Sequence, residues 1–179
     1  MGTVPTPLDW VANAGNFATA AMLQAGVGDP LTFLLNPPAA QARRTTAQSI
    51  PNNTPTVMLF DTEDFDTDTM HSTSVSTSRL TCNTAGTYKV EAYIPFDGAT
   101  AGIRDARITK NGVSLMPGGR AVVMNAGAGS SVTVFTALEM PLAVGEFVEV
   151  QALQTSGAAL TTTAVNGLFP ILRARWMSL

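Results

Sequence analysis

One stretch with a period of two constrains the fold of this chain more than any other. Across residues 88–96 the apolar side chains occupy every second position, and polar residues such as Lys89 and Glu91 occupy positions between them. A period of two is typical of a β-strand with one face on a core. Residues 83–86, Asn-Thr-Ala-Gly, predict a turn before it. We therefore expect residues 80–96 to form two strands of one antiparallel sheet.

The chain after residue 42 shows the same β character. Thr56–Phe60 is apolar on both faces, which predicts a central strand. Asn111-Gly112 between two strand-like stretches predicts a tight hairpin. About eight to ten such stretches, separated by turn signals, predict an all-β fold of two packed antiparallel sheets.

The N-terminal segment, residues 1–42, is different. It contains no Lys or Arg, and it predicts two short helices, one capped by Thr19 and one begun by Asp29-Pro30. Each is shorter than the dozen residues that an isolated helix needs in water. The segment nevertheless carries many large apolar side chains, Trp10, Phe17, Met22, Leu23, Leu31, Phe33, Leu34 and Leu35. They either pack on the chain's own domain or dock on another protein. We divide the chain into an arm, 1–42, and a β-domain, 43–179.

Composition limits the function. Only 13% of the residues are charged and the net charge is −3, so the chain offers no basic field for a nucleic acid and we expect no direct nucleic-acid binding. The sequence contains no apolar run of membrane-spanning length and no secretory signal, which predicts a soluble protein made in a cytoplasm. The single cysteine, Cys82, lies on the apolar face of a strand, which predicts an inert, buried thiol.

An acidic run, residues 61–68, is the richest candidate site. Asp64, Asp66 and Asp68 have the spacing of the first EF-hand ligands. Thr69 and Val75, however, occupy the positions of the required glycine and bidentate glutamate. A looser calcium site and a solvated, charged strand edge both remain open.

Little else in the sequence indicates chemistry. His71 is the only histidine and is predicted to be a surface or interface residue. No pair of carboxylates stands out for glycoside hydrolysis. We therefore predict no catalytic residue, metal or cofactor, and no enzymatic activity. Arg173 and Arg175 share one face of the last strand, where we expect salt bridges.

Several motifs carry a family resemblance. Residues 78–90, Ser-Arg-Leu-Thr-Cys-Asn-Thr-Ala-Gly-Thr-Tyr-Lys-Val, resemble the strand-turn-strand segment of tumour-necrosis-factor-like and complement globular-head jelly rolls. Asn83 replaces the usual proline. The chain from residue 43 resembles the version of this domain in tailed bacteriophages, particularly those of actinobacteria, and the N-terminal segment is similar to their leader. The phage motifs are Ala47-Gln-Ser-Ile-Pro-Asn-Asn-Thr54, Phe60-Asp-Thr-Glu-Asp-Phe-Asp-Thr67, Met70-His-Ser72, Asn111-Gly112, Val150-Gln-Ala-Leu-Gln-Thr-Ser-Gly157 and Ala174-Arg-Trp176.

The resemblance implies a two-sheet jelly-roll sandwich that forms a homotrimer, with interface candidates Tyr88, Val90 and Trp176. It further implies a virion structural protein on the outer capsid surface, made in the bacterial host cytoplasm. The leading hypothesis is a capsid decoration protein or head fibre whose arm binds the major capsid protein through Trp10, Phe17, Leu23, Leu31, Phe33 and Leu34. One alternative is a minor tail protein whose jelly roll binds a host surface glycan, and a more distant one is a carbohydrate-active enzyme.

Overall fold

The structure is a computed structural model that describes residues 19–99, 101–124 and 131–179. It is an all-β sandwich with a short helical segment before it, which confirms the predicted fold class. No helix in the described part of the chain is long and apolar enough to cross a membrane.

The helical segment is continuous where the sequence predicts two helices. It consists of α1 (Ala20–Leu23), a π-helical turn (Gln24–Gly28) and α2 (Asp29–Leu35). Thr19 caps its start as predicted, since its hydroxyl accepts a hydrogen bond from the backbone N–H of Met22 at 3.2 Å. Helix α2 begins at Asp29 with Pro30 in its first turn, as predicted. Asp29 does not cap it, however, because its backbone is already helical and its carboxylate accepts a hydrogen bond from the Gln24 side chain at 2.7 Å.

Twelve strands follow in the described residues: β1 (Ala39–Arg43), β2 (Ser49–Ile50), β3 (Thr56–Val57), β4 (Thr62–Asp66), β5 (Arg79–Thr81), β6 (Gly86–Phe96), β7 (Ile103–Lys110), β8 (Ser114–Met124), β9 (Val132–Leu142), β10 (Phe147–Gln154), β11 (Leu160–Thr161) and β12 (Ile171–Ser178). Sheet 1 has the order β4-β1-β12-β6-β9, and sheet 2 has the order β3-β10-β7-β8 with β5 also on β10. Within both sheets the neighbouring strands are antiparallel. Because β1 lies inside sheet 1, the jelly roll begins at Ala39 and the predicted boundary at residue 42 falls within a strand.

Strand β6 confirms the period of two. Its alternate residues Tyr88, Val90, Ala92, Ile94 and Phe96 are all fully buried between the sheets. They meet the inward residues of sheet 2, such as Ala106, Ile108, Val148 and Val150. The core thus forms where one apolar face of each sheet is removed from water.

The expectation that β5 and β6 share a sheet is wrong. Strand β5 pairs with β10 in sheet 2, whereas β6 pairs with β12 and β9 in sheet 1, so residues 82–85 cross between the sheets. Gly86 ends that crossing against the Trp176 indole. A Cβ atom at Gly86 would lie 2.1 Å from Nε1 of that indole, so the close approach requires glycine.

The Asn111-Gly112 turn joins β7 to β8 as predicted, with both residues at positive φ. The predicted central strand over Thr56–Phe60 is wrong. Only Thr56–Val57 is a strand, and it lies at the edge of sheet 2. Met58 and Phe60 are buried, but Leu59 between them is exposed, so one face only of this stretch packs on the core.

Candidate interaction surfaces

The helical segment presents an unpartnered apolar stripe. None of its residues is buried, and Leu31, Leu34 and Leu35 are 53%, 68% and 85% exposed. Leu23 and Val27 are also exposed, at the four-residue spacing that continues to Leu31. The segment thus presents a stripe of leucine and valine side chains that are open to solvent.

A small set of contacts attaches this segment to the jelly roll. The Phe33 ring packs edge-on against the Trp176 indole, with ring centres 4.9 Å apart. The carbonyl of Pro38 accepts a hydrogen bond from the Trp176 backbone N–H at 2.8 Å. The Thr67 hydroxyl donates to the carbonyl of Pro37 at 2.9 Å. The segment is therefore fixed at its C-terminal end, near the last strand, and projects from there.

A groove lies between that attachment point and the outward face of sheet 1. Its volume is about 530 Å³. Leu35, Phe65 and Met177 are among its apolar walls, and charged side chains of β6 and β12 also line it. The helical segment thus leaves the domain on the outward side of sheet 1.

Charges on the outward face of sheet 1 are compensated in part. Glu91 is nearly buried; it accepts hydrogen bonds from Arg173, one of them from Nε at 2.7 Å, and pairs with Lys89 at 2.9 Å. Burial raises the pKa of Glu91, but the hydrogen bonds from Lys89 and Arg173 outweigh it and hold the pKa below its ordinary value. The predicted salt bridge of Arg173 is present. Arg175 lines the groove without an ion pair among the described residues.

An aromatic pair lies on the same outward face. Tyr93 of β6 and Phe135 of β9 are direct cross-strand partners, with ring centres 4.6 Å apart. Phe135 is 46% exposed. Sequence reasoning missed this pair, because Tyr93 falls between the inward residues of β6, where the alternation predicts a solvent-facing residue. An aromatic residue at an outward position of a strand is the signal that could have indicated an interaction surface.

The predicted interface residues lie elsewhere. Tyr88 and Val90 are fully buried in the core of a single chain, so the prediction that their side chains meet another copy is wrong. The Tyr88 hydroxyl donates to the carbonyl of Thr84 at 2.6 Å, inside the same chain. Trp176 is half-buried at the end of β12, where it contacts Phe33 and donates its Nε1–H to the carbonyl of Ala85 at 3.2 Å.

The six predicted arm residues fall into three groups. Leu23, Leu31 and Leu34 are exposed on the helical segment, while Phe33 is turned toward Trp176. The other two, Trp10 and Phe17, lie outside the described residues.

His71 is not the surface residue that was predicted. Its side chain is fully buried; Nδ1 lies 3.0 Å from a Glu63 carboxylate oxygen and Nε2 lies 3.2 Å from the carbonyl of Thr77. The carboxylate of Asp66 accepts the His71 backbone N–H at 2.8 Å, so part of the acidic run organises the loop after β4. Among the described residues, no group of three or more His, Cys, Asp or Glu side chains is arranged to hold a metal ion.

Comparison with known proteins identifies the fold. No protein-family model matches the sequence, and no curated protein matches it. The structure is similar to the globular domain of zebrafish complement 1qA protein, with a TM-score of 0.54 and 13% identity over 78% of this chain and 97% of that one. It is also similar to Eiger TNF from S. frugiperda, with a TM-score of 0.52 and 11% identity over 79% of this chain and 93% of that one. The similarity to murine APRIL has a TM-score of 0.56 and 8% identity over 77% of this chain and 98% of that one. The chain therefore has a jelly roll of the C1q and tumour-necrosis-factor type.

Proposed function

We propose that this chain is a structural, non-enzymatic protein of a bacteriophage particle: a homotrimeric capsid decoration protein, or head fibre, whose N-terminal segment binds the major capsid protein. The observation that carries the proposal is the apolar stripe of the helical segment, Ala20–Leu35. A helix of this length with no buried residue gains too little from its own chain to be stable in water, so it requires an external partner.

The stripe indicates what kind of surface it binds. Between residues 19 and 38 the only charged side chain is Asp29, and Gln24 already donates a hydrogen bond to its carboxylate. The partner surface is therefore an uncharged, apolar groove. Each large aliphatic side chain that becomes fully buried contributes about 1.5–3 kcal/mol, and three arms on one trimer add their contributions through avidity. Since no ion pair is involved, added salt weakens the attachment little.

The outward face of sheet 1 supports a homotrimer. The resemblance to the tumour-necrosis-factor family implies three copies, and Tyr93 and Phe135 place exposed aromatic surface on this face. Burial of aromatic side chains is a large source of interface energy. In this arrangement the outward face of sheet 1 meets neighbouring copies, and the three arms leave the trimer from that same side.

The phage particle is inferred from the sequence resemblance over residues 43–179 and from the similar leader. A trimer matches the threefold and local threefold positions of an icosahedral shell. Labelling of purified virions, with a count of copies per particle, tests this location. Decoration requires on the order of hundreds of copies, because such positions repeat over the whole shell. A handful of copies at the tail tip would contradict it and support the minor tail protein that binds a host glycan.

The arm is tested by Leu23→Gln combined with Leu31→Gln in the full chain. Both side chains are exposed, so we expect a folded trimer with unchanged thermal stability that no longer binds capsids assembled without it. The matched control is Val113→Gln, which changes an equally apolar and exposed residue in the β7–β8 hairpin. Undiminished capsid binding by the double variant, or equal loss in the control, would show that the stripe is not the attachment site.

A further inference from the structure

A second cluster of charge lies on sheet 2, away from the surfaces described above. Arg107 and Arg120 are direct cross-strand partners on β7 and β8, so their side chains share one face of the sheet. Both guanidinium groups donate to a single oxygen, Oδ2 of Asp105. The distances from Nε and Nη2 are 2.9 and 2.6 Å for Arg107, and 3.0 and 2.7 Å for Arg120.

The Asp105 carboxylate compensates only one of the two positive charges. Its side chain is fully buried, and its other oxygen, Oδ1, has no hydrogen-bond partner among the described residues. Burial of Asp105 therefore holds two like charges side by side at the surface, with one unit of positive charge in excess. The Arg120 side chain is 49% exposed and the Arg107 side chain is 15% exposed, so this excess charge is open to solvent mainly through Arg120.

The geometry favours a planar monoanion. A guanidinium that uses its Nε and Nη2 edge for one partner still has the N–H groups of Nη1 for another. Arginine binds carboxylates through such paired, parallel hydrogen bonds. One carboxylate would neutralise the excess charge beside Arg107 and Arg120. Asp105 would then be a positioning residue that holds both guanidinium groups in place.

We propose that Arg107 and Arg120 form a binding site for the carboxylate groups of an acidic polysaccharide. The backbone of β7 is hydrogen-bonded to β8 on one side and to β10 on the other, so this face of the sheet offers side-chain donors only. A peptide bound here would gain no backbone pairing with the sheet, whereas the hydroxyl groups of a sugar acid can use side-chain partners alone. Gln151 lies opposite Arg107 on β10 and supplies an amide on the same face.

The site does not depend on the proposed function. It lies on sheet 2, so it stays accessible when copies meet through the outward face of sheet 1. The test measures binding of the full-length protein to immobilised polygalacturonate, with neutral dextran and polyglutamate as parallel surfaces. Free acetate is added as a competitor that carries the carboxylate alone.

Arg120→Gln is the decisive variant, because it removes an exposed arginine and leaves the Arg107–Asp105 pair intact. We expect wild type to bind polygalacturonate and not dextran, acetate to compete, and Arg120→Gln to weaken binding at least about tenfold. Arg44→Gln is the matched control, since it changes the net charge equally but follows β1 of sheet 1. We expect it to bind as wild type does.

Three results would overturn the inference. Unchanged binding by Arg120→Gln would show that the pair is structural only. Equal weakening by Arg44→Gln would show that binding follows net charge rather than this site. Polyglutamate bound as tightly as polygalacturonate would reject the polysaccharide as the ligand class.

Discussion

The buried carbonyl of Thr84 offers a test of how the centre of this domain is held together. It accepts two hydrogen bonds, from the Tyr88 hydroxyl at 2.6 Å and from the Cys82 thiol at 3.1 Å. Thr84 is itself nearly buried, so water does not readily replace either donor. Burial raises the pKa of both Tyr88 and Cys82, so both groups keep their protons, and donate them, at neutral pH.

Removal of one donor should cost little. In Tyr88→Phe the thiol of Cys82 still donates to the carbonyl, so we expect a loss of about 1 kcal/mol in the free energy of unfolding. That corresponds to a fall in Tm of about 2–4 °C for a chain of this size. Cys82→Ala should cost a similar amount, because it deletes one small buried side chain while the Tyr88 hydroxyl remains.

The double variant Cys82→Ala/Tyr88→Phe should cost more than the sum. It leaves the carbonyl of Thr84 buried without a donor, which adds about 1–3 kcal/mol. Urea unfolding of wild type, the two single variants and the double variant, all at one protein concentration, gives the coupling free energy between the two donors. Additivity within about 0.5 kcal/mol would refute the reasoning. Sedimentation of the same proteins provides a second check: because Tyr88 is fully buried in one chain, Tyr88→Phe should not change the oligomeric state.

Three further predictions follow from the same structure. Burial raises the pKa of Asp68, so the folded state holds its proton more tightly than the unfolded state. The stability that this contributes is fully present below the unfolded pKa and is lost as pH rises through the folded pKa. In urea unfolding, Asp68→Asn should therefore be more stable than wild type at pH 7 and equal to it below the unfolded pKa. Burial also raises the pKa of Cys82, so wild type should lose stability as pH rises above the ordinary pKa of a thiol, where the unfolded state gives up this proton first. Cys82→Ala should lose less stability over that pH range in a series of thermal melts. Phe135→Ser should dissociate the proposed trimer in sedimentation experiments, whereas Val113→Ser should not. A trimer that survives Phe135→Ser would place the interface elsewhere.

Local patterns predicted local structure well. The alternation in β6, the Asn111-Gly112 hairpin and the Thr19 cap each depend on residues close together in the chain. Period and turn chemistry act over a few residues, so a sequence states them directly. For the apolar side chains of the helical segment the sequence left two placements open, packing on the chain's own domain or docking on another protein, and only the structure shows that most of the described ones are exposed.

The errors arose where a long-range partner decides the outcome. The turn before β6 was expected to join two strands of one sheet, but residues 82–85 cross between sheets because β10 pairs with β5. His71 was expected at the surface, but its ring is buried between a Glu63 carboxylate and a backbone carbonyl. A hydrogen-bonding partner decides whether a polar residue is buried, and propensity does not name that partner.

The sequence by itself determined that this chain is a β-sandwich with an apolar N-terminal segment, because alternation and composition express which faces avoid water. Only the tertiary structure decided which surfaces remain for partners. Glu91 meets Arg173 across 82 positions of sequence, and Phe135 meets Tyr93 through strand register rather than proximity in the chain. Alternation in the sequence separates the two faces of a strand. Which face becomes core and which face stays free for an interface depends on where the other sheet packs.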